Sequence, residues 1–152
     1  MKKILFVIAT LIFTISNPIT SHARQSSPPA SSLYNINEKI ELENGNTVDY
    51  ELTIFPSDTR SNIKTATKTA TCKRNNKTVA TIKLSATFTY TGSSATCTSA
   101  SSTYSMEGGW SYSNRTTTRT KNTASTSAKI SKNNEYFNAG VTITCSNSGV
   151  IS

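Results

Sequence analysis

Arg115, Arg119 and Lys121 recur at alternating positions in the run Arg115-Thr-Thr-Thr-Arg119-Thr-Lys121, so an extended strand would carry these cations on one face. Such a face presents a positive field to a polyanion; as a solvated strand surface it needs no ligand at all. Tyr112 precedes the run, and Tyr136 and Phe137 flank a later turn. With Trp110 and Tyr104 these rings could form a platform that stacks on a sugar, but Trp110 and Tyr104 read first as the bulky plugs of an otherwise small-residue core. Tyr112, Arg115, Arg119, Lys121, Tyr136 and Phe137 are therefore the candidate ligand contacts. The chemistry they suit is non-covalent binding of an anionic polymer, glycan or membrane surface.

Covalent and acid–base chemistry has little to work with. The chain's one histidine is His22. It lies in a segment with the layout of a secretory signal: Lys2 and Lys3, an apolar run from Ile4 to Ile15, and the small-x-small site Ser21-His22-Ala23. Removal of residues 1–23 leaves a mature chain without imidazole, which excludes a Ser-His-Asp or Cys-His arrangement. A glycosidase needs two facing carboxylates. In the basic body only Glu107 and Glu135 are acidic, and Glu107 beside Gly108-Gly109 reads as a loop residue. The acids from Glu38 to Asp58 lack the dense spacing of a calcium loop. Cys72, Cys97 and Cys145 have no close pair and no histidine, unlike a zinc site. The expectation is a non-enzyme with no metal and no cofactor.

The elements that must position these residues are strands. Serine and threonine make up 44 of the 129 residues after Ala23, yet apolar and polar positions alternate, as in half-buried strands. Arg24 to Ser32, with Pro28 and Pro29 among serines, reads as a flexible leader before a single domain from Leu33 to Ser152. Ile40 and Leu42, then Val48, Tyr50, Leu52 and Ile54, frame a hairpin around Asn44-Gly45-Asn46. A three-residue loop with Gly45 or Asn46 left-handed would set Leu42 opposite Val48 and Ile40 opposite Tyr50. Pro56 ends the strand. Thr65 to Cys72 alternates threonine with Ala66, Lys68, Ala70 and Cys72, and Thr78 to Tyr90 places Ala80, Ile82, Leu84, Ala86 and Phe88 on one face. A three-residue loop at Asn75 to Lys77 faces Cys72 to Ala80 and Ala70 to Ile82, so Cys72 reads as a buried thiol.

A four-residue turn at Thr91 to Ser94 sets Cys97 opposite Phe88. Ala100, Tyr104 and Met106 want the same face with the opposite parity, which one extra residue near Thr98 or Ser99 reconciles. Strands then follow from Trp110 to about Arg119 and from Thr123 to Ser131, where Ala124, Thr126, Ala128 and Ile130 share a face. Lys132 to Gly140 reads as a looser stretch before Val141, Ile143 and Cys145. Seven to eight short strands without helical period indicate an all-β antiparallel sandwich, with an immunoglobulin-like topology as one form of it.

The body from Thr65 to Ser105, centred on Phe88-Thr-Tyr-Thr-Gly-Ser-Ser-Ala-Thr-Cys97, resembles a group of small uncharacterised secreted proteins of Gram-positive bacteria, and Trp110 and the closing Val141-Thr-Ile-Thr-Cys145 fit the same pattern. The resemblance spans about two thirds of the mature chain and implies class and location, not an activity. It also implies that Cys97 pairs with Cys145, with Cys72 standing where an aromatic is expected. All three cysteines have core-ward parity, so a pairing that involves Cys72 stays open.

Charge completes the reading. Residues 24–58 carry two basic against six acidic side chains, a net of −4, and residues 59–152 carry twelve against two, a net of +10. The acidic segment could simply pack against the basic body; otherwise the excess attracts an anionic surface such as teichoic acid, phospholipid or acidic glycan. Nucleic acid is the least expected partner, because export removes the usual target, and no transmembrane anchor is expected. The leading expectation is an exported binding module, secreted or associated with the cell envelope. The alternatives are a secreted antimicrobial or toxin-like effector, and a structural surface protein without a specific ligand.

Overall fold

A computed structural model describes residues 34–42, 45–55 and 62–152. The expected signal segment, the leader, the Pro56 strand stop and Asp58 lie outside the described residues. The described residues form eight antiparallel strands and no α-helix. Sheet A holds β1 (Tyr34–Glu41), β2 (Asn46–Phe55), β3 (Ile63–Arg74), β4 (Lys77–Tyr90) and β5 (Ala95–Met106), in that spatial order. Sheet B holds β6 (Ser111–Thr120), β7 (Thr123–Lys132) and β8 (Glu135–Thr144), also in sequence order. The result is the expected all-β sandwich. It is not immunoglobulin-like: within each sheet the strands lie in sequence order, the chain changing sheet only between β5 and β6, so the long return connection of a Greek key is absent from both sheets.

Parity sets the faces and turn chemistry sets the register. In the first hairpin Ile40 faces Val48 and Glu38 faces Tyr50, two residues away from the expected pairing. The last paired residues are Glu41 and Thr47, so five residues rather than three separate them, with Gly45 left-handed at φ 71° and the Leu42 N–H donating to the Asn46 carbonyl at 2.8 Å. A two-residue slip leaves every side chain on its expected face. In the second hairpin Cys72 faces Ala80 and Ala70 faces Ile82 as expected. The loop there is shorter, however. Asn75 and Asn76 form a two-residue turn with φ of 49° and 62°, the primed geometry that suits twisted strands, and Val79 is the extra residue that restores the offset. In the third, Phe88 faces Cys97 and Thr87 faces Ser99, so the expected extra residue is Thr98. Lys132 to Gly140 is not loose. Asn133, left-handed at φ 55°, turns the chain directly into β8, where Phe137, Ala139, Val141 and Ile143 alternate inward.

The core lies between the inner faces of β2–β5 and β7–β8. Ala66, Ala70, Cys72, Ile82, Leu84 and Phe88 of sheet A meet Ala124, Ala128, Ile130, Val141, Ile143 and Cys145 of sheet B. The outer face of sheet A is a hydroxyl surface, with Thr65 bonded to Thr87 at 3.1 Å and Thr67 to Ser85 at 3.0 Å. Cys72, Cys97 and Cys145 are all buried free thiols, so the implied Cys97–Cys145 disulfide is not formed in this structure. The Cys97 thiol donates instead to the Ser99 carbonyl at 3.2 Å, and that of Cys145 to the Ser146 carbonyl at 3.4 Å. Both cysteines are nonetheless tied to one turn: the Cys97 N–H donates to Lys121 and the Cys145 N–H to Asn122.

Candidate functional site

Three connections meet at one end of the sandwich. Arg74 ends β3 and Lys77 begins β4, on either side of the Asn75-Asn76 turn. Glu107 to Trp110 link the two sheets, held by the Glu107 N–H on the Val79 carbonyl at 2.9 Å. Lys132 ends β7 and Glu135 begins β8. Between them lies an open cleft of about 600 Å³ lined by Arg74, Lys77, Glu107, Trp110 and Lys132 among others. A second hollow of about 420 Å³ adjoins it, sharing Arg74, Trp110 and Lys132 and reaching Asn134 and Glu135.

The cleft is a preset arrangement of charge around a ring. The Arg74 guanidinium bonds Glu135 at 3.2 Å, and the Lys132 ammonium donates to the Gly108 carbonyl at 2.7 Å. These contacts hold two cations in place, while the Lys77 and Glu107 side chains stand open to solvent. Trp110 is half-buried, its ring edge-on to Phe137 at 5.7 Å between centroids. It is thus only partly the expected core plug; it also walls the cleft. Three cations against two carboxylates, beside an indole, can hold an anionic group and stack a sugar ring.

The structure disperses the contacts read from sequence. Arg115 leaves the alternating row because one extra residue enters β6 between Ser113 and Thr116, with Asn114 left-handed at φ 52°. Its guanidinium lies 4.7 Å from the Tyr112 ring centroid and 5.6 Å from that of Tyr104, making a stacked trio. The Tyr104 hydroxyl is itself held by Thr126 at 2.6 Å and by the Thr116 carbonyl at 3.2 Å. Burial pushes its ionisation up, but hydrogen bonds from Ser102, Thr126 and Thr117 and the Arg115 charge outweigh that and bring it below the ordinary tyrosine value. Arg119 donates to the Thr98 carbonyl and so clamps the β5 bulge. Lys121 sits in the β6–β7 turn at φ 52°, exposed.

Tyr136 is 63% exposed with the Lys129 ammonium 3.9 Å from its ring centroid. Phe137, expected as a contact, is a core residue at 9% exposure, because the alternation of β8 turns it inward beneath Trp110. Arg74, Lys77 and Lys132 are not among the contacts expected from the sequence, and Trp110 is expected there as a core plug. The available signal was the repeated Asn-Asn turn with a cation before it, Arg74-Asn-Asn-Lys77 and Lys132-Asn-Asn-Glu135.

Among the described residues no group of three His, Cys, Asp or Glu side chains could hold a metal ion. No helix among them is long and apolar enough to cross a membrane. Burial pushes the Cys72 thiol up to about 12 and also raises Cys97 and Cys145; Arg119 and the Ser99 hydrogen bond pull Cys97 back, and Lys64 pulls Cys145 back. Compared with protein-family models, curated proteins and solved structures, the chain matches none.

Proposed function

We propose that this is an exported, non-enzymatic binding module whose cleft takes an acidic segment of a cell-envelope polymer, of the teichoic acid or acidic glycan kind. The observation that carries the reading is the cleft itself, where Arg74 and Lys77 from the β3–β4 turn and Lys132 from the β7–β8 turn converge around the half-exposed Trp110 of the link between the sheets. Two of these cations are already held by the protein, so little side-chain freedom is lost when an anion arrives. The net of +10 beyond residue 58 supports the same ligand sign by steering it to the surface. The signal-like start of the chain and its resemblance to small secreted proteins of Gram-positive bacteria support the location.

Purified teichoic acid, with a neutral glucan as control, tests the reading by calorimetry or surface retention. Binding should be measurable at low salt and vanish near 1 M, where screening cuts the range of exposed charge to about 3 Å. Lys77→Ala, which removes an exposed cation, should weaken it several-fold, and Arg74→Ala with Lys132→Ala by roughly tenfold, with melting checked for each. Trp110→Ala should weaken a glycan and leave inorganic polyphosphate largely unaffected. Equal binding of the neutral glucan, or loss only when Arg115 and Lys121 are replaced, would overturn the assignment to this cleft.

A further inference from the structure

The two sheets differ in width by two strands, and the difference falls at one edge. β6 lies against β5, β7 over β4 and β5, and β8 over β3 and β4, so sheet B spans β3–β5 and stops short of the outer pair. On the core-facing side of that pair the register sets Ile36, Glu38 and Ile40 of β1 beside Leu52, Tyr50 and Val48 of β2. Val48 and Leu52 are buried, yet Ile36 and Ile40 are 43% and 40% exposed. Among the described residues two strand edges border the same space: that of β1 in sheet A and that of β8 in sheet B, the latter open as far as its C-terminal end, where Thr144 exchanges backbone hydrogen bonds with Ser152. Long open edges beside exposed apolar side chains are surfaces that proteins usually cover.

We propose that a second copy of this chain covers this face, in a two-fold dimer where β1 of each copy runs alongside β8 of the other. Strand counting leads to this occupant. One layer then reads β6, β7, β8 of the first copy followed by β1 to β5 of the second. The facing layer reads β5 to β1 of the first followed by β8, β7, β6 of the second. Both layers contain eight strands, β1 of one copy lies over β2 of the other, and each overhang of two strands fills the gap beside the other sheet B. An overhang of two on each copy closes under a two-fold axis, as a self-complementary patch must.

Charge fits the same partner. Glu38 stands between the exposed isoleucines, while Lys68 lies opposite Leu52 on the core-facing side of β3. The Lys68 ammonium reaches over β2, 5.6 Å from the Tyr50 ring centroid, which is where β1 of the second copy would lie. Glu38 of each copy thus pairs with Lys68 of the other. The covered strip, about 30 Å by 10 Å from strand length and spacing, is modest, so the dimer is concentration-dependent.

Sedimentation equilibrium of the secreted protein over a wide concentration range tests this. The expected species is a dimer in equilibrium with monomer. Ile36→Lys combined with Ile40→Lys should raise the dissociation constant by roughly tenfold or more. Because a β1 variant could fail to fold, charge reversal supplies a second arm: Glu38→Lys or Lys68→Glu alone should weaken the dimer, and the two together should restore it. A monomer at every concentration, a dimer indifferent to the isoleucine variants, assemblies growing beyond two copies, or a double charge reversal without rescue would each overturn the proposal. So would a monomer that dimerises only after deletion of residues 24–32, since the leader would then be the occupant.

Discussion

Cys72 shows how far burial alone can alter a side chain. It is fully enclosed among Val48, Ala70 and Ala80 on the core face, and loss of hydration lifts its thiol from 9.0 to about 12. A group whose folded value is raised contributes stability that is fully present below the unfolded value. That contribution is lost as pH rises through the folded value. Under reducing conditions the melting temperature should therefore fall between about pH 9 and pH 12, and Cys72→Ala should flatten part of that decline. Cys97, Cys145 and Tyr50 are shifted in the same direction and contribute to what remains. Cys72 should also resist thiol reagents in the folded protein and react once denatured, as read by mass spectrometry. The Arg74–Glu135 pair is a different case. With Glu135 59% exposed it adds less than about 1 kcal/mol to stability, and its worth lies in where it holds the guanidinium.

Among the elements, the closing turn after β8 is the most tightly constrained. Ser146 to Val150 form a loop closed by the Ser146 N–H on the Val150 carbonyl at 2.8 Å, and Ile151 returns to bridge Cys145. Gly149 sits there at φ 82°, where an added Cβ would stand 2.5 Å from the Tyr90 ring. Gly149→Ala should cost about 2–3 kcal/mol in denaturant unfolding, the sum of left-handed strain and displacement of that ring. Gly92→Ala is the matched control. Its φ of 89° imposes similar strain, but no other heavy atom lies within 4 Å of the added carbon, so it should cost about 1 kcal/mol. Bulges matter as much as turns at this scale. Thr98 in β5 keeps Cys97 and Tyr104 facing inward on one strand, whereas the extra residue in β6 lifts Arg115 out of its row and lays it over Tyr112.

For the whole molecule, charge is laid out across the sandwich. Glu38 and Glu41 lie on β1 and Asp49 and Glu51 on β2, where Asp49 pairs with Lys73 of the neighbouring strand, so part of the acidic segment does pack against the basic body. The cleft and the cations of β6 and β7 lie on the other strands. Under the proposed function, this layout would turn the basic side of an exported chain toward an anionic envelope. Intact-mass measurement of the secreted protein should give a chain beginning near Arg24, and a retained leader with stable membrane association would remove the basis for that location.

The sequence by itself determined the class, the inner faces of β2 to β5 and of β7, and the position of the β5 bulge. It did not determine those of β6, where a bulge displaces Arg115, or of the start of β8, where Phe137 turns inward. What it determined follows from parity: Ala80, Ile82 and Leu84 can share a face in only one way, and Cys97 and Ala100 cannot both face inward without an extra residue between them. It left the loop lengths open, because a slip of two residues preserves every face, as the first hairpin shows. Only the tertiary structure decided which strand ends meet. Arg74, Trp110 and Lys132 come from three connections far apart in the chain, and nothing local to any one of them signals the others. It likewise decided that sheet B would have three strands against five, since the division of a meander between two layers depends on where the chain crosses, at Glu107 to Trp110. Alternation is a property of neighbouring residues. The cleft and the uncovered face are properties of how distant strands are stacked.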